Sequence, residues 1–75
     1  MITPDQCRAA RALLRMSQDD LAAKTKLSAV TIRKFENQTD KLRDATVNLI
    51  ALTLETAGIE FIPSNGGGPG VRLRS

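Results

Sequence analysis

Apolar positions along this chain form helical stripes up to residue 57 and then change period. The first stripe is opened by Thr3-Pro4-Asp5-Gln6: a capping threonine, proline in the first helical position, an acid, and glutamine where a capping box wants it. This predicts a helix running to about Arg15, with Ala10, Leu13, Leu14 and Met16 as its apolar contacts. The most apolar stripe comes last, from about Arg43 or Asp44 to Ala57. There Val47, Ile50, Ala51 and Leu54 follow the i, i+3, i+4, i+7 spacing of a core-facing helix. Leu49, Leu52 and Thr56 lie nearly opposite that stripe, so this helix needs a second partner. Gly58 suits a left-handed position ending the helix, with Ile59 placed to meet Leu54. Residues 59–62 and 71–74 are then short β-prone runs on either side of the Pro- and Gly-rich stretch 63–70. That stretch can be a long hairpin loop or an arm that carries the last strand to another chain. An isolated two-stranded hairpin is marginal, which favours a sheet shared across a dimer.

Between the outer stripes lie residues 18–37, QDDLAAKTKLSAVTIRKFEN, which read as two short helices. Ser17 caps the first, and Asp19 and Asp20 fall in its first turn, where the helix dipole favours negative charge. Ser28 caps the second. Leu21 and Ala22 on one, Ile32 and Phe35 on the other, supply an apolar seam. Helices this short are unstable alone, so the seam must close on the rest of the chain. A turn of a few residues makes them cross steeply and leaves the second standing proud, which is helix-turn-helix geometry.

Composition narrows the field. The chain has 75 residues, one domain at the size where a single core is marginal and oligomerisation is a common remedy. One cysteine and no histidine leave no disulfide framework and no thiolate–imidazole metal site within the chain, and no cofactor is implied. Cys7 reads as a small semi-buried residue. No apolar run is long enough for a membrane span and the start lacks the order of a secretory signal, so the expectation is a cytoplasmic protein without a membrane partner. The Gly-rich stretch lacks the Lys-Ser/Thr of a phosphate loop, and no set of nucleophile, base and acid converges as an enzyme requires.

Net charge is +3, and its distribution matters more than its sum. Lys26, Arg33, Lys34, Lys41 and Arg43 crowd residues 26–43 against Glu36 and Asp40, whereas residues 44–62 carry only acids. A basic second helix and following loop are the footprint of a phosphate-facing surface, with Lys41 and Arg43 as phosphate contacts. Charge alone fits a merely solvated basic surface equally well.

Arg11, the run Ser17-Gln18-x-x-Leu21-Ala22, and Ile32-x-x-Phe35-Glu36-Asn37 together carry a resemblance. On them, residues 8–57 resemble the Cro/C1-type (XRE) helix-turn-helix family of bacterial and phage DNA-binding regulators. The tail GIEFIPSNGGGPGVRLR resembles an extension seen in small bacterial members. The resemblance implies that Gln18 and Asn37 hold phosphates, that residues 28–34 meet base edges, and that Arg11 pairs with Glu36 between the first and third helices. Arg15, Lys26 and Gln38 stand where many members have glycine. If the backbone keeps positive φ there, each costs about 1 kcal/mol or somewhat more; otherwise the loops are remodelled.

The expected architecture is mainly α: a four-helix domain over residues 1–58 and a short β extension, hairpin or intermolecular, over residues 59–75. With Ile32 and Phe35 inward, Ala29, Val30, Arg33, Lys34 and Asn37 point outward, with Ser28 at the tip. Arg33 or Lys34 can read guanine, Ala29 and Val30 can touch thymine methyls, and Ser28 can donate to a base or phosphate. Arg33 and Lys34 equally suit phosphate contact or solvation. The leading expectation is a homodimeric regulator, acting as a repressor on a two-fold operator in double-stranded DNA. Its dimer interface is expected from Leu49, Leu52, Thr56, Phe61, Ile62, Val71 and Leu73. The alternative is a module whose helix face docks on protein, such as an antiactivator holding a transcription factor or an antitoxin-like partner, because Ala29 and Val30 also fit that use.

Overall fold

A computed structural model describes residues 1–74; Ser75, at the end of the expected extension, lies outside them. The order is α1 (Pro4–Leu14), α2 (Gln18–Thr25), α3 (Ala29–Glu36), α4 (Asp44–Thr56), β1 (Ile59–Ile62) and β2 (Gly70–Leu73). The fold is a mainly helical Cro/C1-like arrangement with a short C-terminal hairpin.

Each start signal is used. Thr3 Oγ1 accepts from the Gln6 N–H while Gln6 Oε1 accepts from the Thr3 N–H, a reciprocal capping box. Ser17 and Asp20 build the same box on α2, a role for Asp20 beyond its favourable charge. Cys7, Ala10, Leu21, Ile32, Ile50, Leu54 and Ile59 are fully buried and join the four helices to the first strand. Two details differ from expectation. Leu13 is exposed, and Cys7 is fully buried rather than semi-buried because α1 turns it towards α3.

The chain reverses direction at the three suspect positions without remodelling. Arg15, Lys26 and Gln38 have φ of 54°, 62° and 58°, all left-handed. Non-glycine residues there cost roughly 1–2 kcal/mol each. Gly58 takes φ of 113°, and Ile59 enters the same buried core as Leu54.

The strands pair with each other, antiparallel, in the register Ile59↔Leu73, Glu60↔Arg72, Phe61↔Val71 and Ile62↔Gly70. Of the two arrangements open to the stretch 63–70, the chain thus adopts the hairpin loop, and β2 is not an arm carried away from its own β1. The hairpin is not isolated but attached to the helices. Ile59 is fully buried, and Phe61 and Val71 pack partly buried against the core of their own chain. Gln6, itself buried, donates from Nε2 to Ile62 O at 3.2 Å and to Gly70 O at 2.9 Å, clasping both strands where the loop begins. On the outer face Arg72 pairs with Glu60 through two hydrogen bonds, beside a half-buried Ile62.

Candidate nucleic-acid interface

The third helix is anchored by one carboxylate. Glu36, in the last turn of α3, has a side chain only 1 % exposed, and a lone buried charge there would be costly. Arg11 answers it in a fork: Nε donates to Oε2 at 2.7 Å and Nη2 to Oε1 at 2.6 Å. Two donors that sequence reasoning missed complete the shell. Cys7 Sγ donates to Oε2 at 3.2 Å, and Gln18 Nε2 donates to Oε1 at 3.1 Å. Arg11 also donates from Nη1 to Met16 O at 3.1 Å, gripping the turn before α2. Burial raises the Glu36 carboxyl, but hydrogen bonds from Arg11, Gln18 and Cys7 outweigh it and hold the group below the usual carboxylate range. Burial and then the bond to Glu36 push the Cys7 thiol up, so it stays protonated and serves as a donor, not a nucleophile. Cys7 and Arg11 are four apart on one face of α1, a spacing that points Cys7 to the same partner as Arg11 once Glu36 is placed there.

Anchored there by Ile32, Phe35 and Glu36, α3 turns Val30, Arg33 and Lys34 to solvent. Val30 is 49 % exposed, and Arg33, Lys34 and Asn37 are exposed with it. Ala29 departs from the outward expectation: it is half-buried against the core, leaving Val30 as the apolar residue most open on this face. Ser28 is exposed, but its Oγ accepts from the Thr31 N–H at 3.1 Å and is shared with the Thr31 hydroxyl at 2.9 Å. A base contact by Ser28 therefore has to share the oxygen that caps the helix.

Around α3 stand the residues expected to hold phosphate. Gln18 begins α2 and reaches Glu36 at the far end of α3, so it lies next to Asn37, the C-terminal cap of that helix. Its second Nε2 hydrogen and its own backbone N–H have no acceptor among the described residues. Lys41 and Arg43 are exposed on the loop into α4, where Arg43 caps the helix with its backbone only. The loop brings Asp40, which the sequence showed only as an acid among the basic residues 26–43, to 3.6 Å from Lys34 Nζ. The expected dimer residues are spread differently. Leu49, Leu52, Thr56 and Leu73 are exposed and Ile62 is half-buried, whereas Phe61 and Val71 pack partly buried against their own core.

Among the described residues no group of acids, cysteine or histidine could hold a metal, and no helix is long and apolar enough to cross a membrane. No curated protein matches the chain. A model of the helix-turn-helix family matches residues 8–61, from within α1 through all of α2, α3 and α4 into β1. With that match spanning the anchored α3 and the elements that hold it, the chain belongs to the Cro/C1-type (XRE) helix-turn-helix family of DNA-binding regulators.

Proposed function

We propose that this protein acts in the cytoplasm as a homodimeric repressor, laying α3 of each subunit in successive major grooves of a two-fold operator. The observation that carries the reading is the division of α3 into a face anchored by Ile32, Phe35 and Glu36 and a face offering Val30, Arg33 and Lys34 to solvent. An exposed cation of this kind reads guanine through O6 and N7, and Val30 is suited to a thymine methyl. Gln18, Asn37, Lys41 and Arg43 then grip phosphates on either side and set the register. Leu49, Leu52 and Thr56 on the outer face of α4, joined by Leu73 and Ile62, form the contact between subunits.

The test is binding of the purified protein to the DNA upstream of its own gene, with a scrambled duplex as control. Preference for the upstream duplex, with affinity falling steeply as salt rises, supports the reading. Absence of binding to either duplex rejects it and favours the second reading, in which the half-exposed Val30 seats α3 on a protein partner.

A further inference from the structure

Lys34 does not face solvent alone. Its Nζ lies 3.6 Å from Asp40 Oδ2, and the two side chains are 52 % and 61 % exposed. The backbone of the preceding turn holds Asp40 close to the end of α3. Gln38 reverses the chain with φ of 58°, and its N–H donates to Phe35 O at 3.1 Å. The Thr39 N–H then donates to Lys34 O at 3.1 Å, and the Thr39 hydroxyl to the same oxygen at 3.4 Å. The loop is thus tied to the carbonyl of the residue whose ammonium it opposes. An exposed pair of this kind contributes little to folding, so stability gives no reason for an acid in a loop whose other charges, Lys41 and Arg43, attract phosphate.

Resting on the DNA-binding reading above, we propose that Asp40 is a specificity-determining residue that competes with DNA for the ammonium of Lys34. Non-specific association depends almost wholly on cations meeting phosphates. Asp40 withdraws one such cation and places an anion beside it. Binding at an operator draws also on base edges, where a guanine offers Lys34 two acceptors in place of the carboxylate. Asp40 therefore weakens random binding by a larger share than operator binding, and widens the ratio between them.

The experiment titrates wild type, Asp40→Asn, Lys34→Ala and the double variant against the upstream duplex and a scrambled duplex across a salt series. Asp40→Asn should tighten binding to the scrambled duplex roughly twofold to fivefold, the range of an exposed ion pair. It should steepen the salt dependence by about one phosphate contact and narrow the preference for the upstream duplex. In the Lys34→Ala background the same change should give a clearly smaller gain, that of removing one anion from near the phosphates. An unchanged affinity and slope in Asp40→Asn overturns the proposal, as does an equal gain with Lys34 removed, which would make Asp40 a simple repulsive charge. If none of the four proteins binds either duplex, the DNA-binding reading fails and the proposal fails with it; binding without an Asp40 effect rejects the proposal alone.

Discussion

Glu36 ties three helices through its two oxygens, which makes it the residue whose loss has the widest effect. Arg11→Ala leaves a buried carboxylate without its counter-charge, and Glu36→Ala leaves the guanidinium facing a gap; each should cost about 3 kcal/mol in denaturant melts. The double variant should cost much less than the sum, and additive effects below 1 kcal/mol would reject the coupling. The carboxyl of Glu36 is depressed in the folded protein, so its contribution is complete above the unfolded value of about 4.3 and is lost as pH falls through the folded one. Glu36→Gln should flatten that acid limb of the stability curve. Arg15, Lys26 and Gln38 test the opposite sign. Each sits at a left-handed φ that glycine adopts without strain, so each replacement by glycine should stabilise by about 1 kcal/mol, the relief being partly offset by a freer unfolded chain. A fall in the urea midpoint for all three would contradict this account of the turns.

Among the elements, the hairpin depends on α1 and α3 depends on its neighbours. Gln6→Ala removes the amide that donates to both strands, leaving Ile62 O and Gly70 O without it, and should cost about 1–3 kcal/mol. Hydrogen exchange should quicken most in β1 and β2, and equal quickening in α2 and α3 would mean that the clasp acts on the whole fold instead. For α3 the separation is between gripping and reading. Asn37→Ala should weaken operator and scrambled duplexes by similar factors. Whichever of Arg33 and Lys34 reaches a base should cost about 1–3 kcal/mol at one operator position in each half-site, seen by anisotropy against single-base variants at fixed salt. Uniform losses for both alanine variants would make them phosphate contacts. Gln18→Ala is a poorer probe, because it also strips a donor from Glu36.

At the scale of the molecule, the unresolved demand is the second apolar face of α4. Leu52 is 61 % exposed, and Leu49 and Thr56 share its face. In the proposed dimer this face is the principal contact for the second subunit, with Leu73, exposed at the sheet margin, beside it. Leu52→Asp should shift the protein towards monomer in sedimentation and weaken operator binding, since two recognition helices no longer bind as one unit. Wild type that sediments as a monomer at tens of micromolar would reject the interface.

Local chemistry made most of the fold legible in the sequence. Thr3, Ser17 and Ser28 cap where their side chains reach the next turn, and the spacing of Val47, Ile50 and Leu54 leaves one face for the core. The outward set on α3 follows from the same periodicity, apart from Ala29, small enough to be half-covered by the core. What the sequence did not determine depends on groups far apart in the chain. Gln6 looked like half of a cap, and only the folded chain brings Ile62 and Gly70 to its amide. Cys7 and Gln18 became partners of Glu36 because three helices converge on one carboxylate that must be satisfied when buried. The backbone at Arg15, Lys26 and Gln38 was likewise settled in three dimensions: the sequence names the strained residue, but only helices already packed on either side decide that the turn keeps its left-handed form and bears the cost.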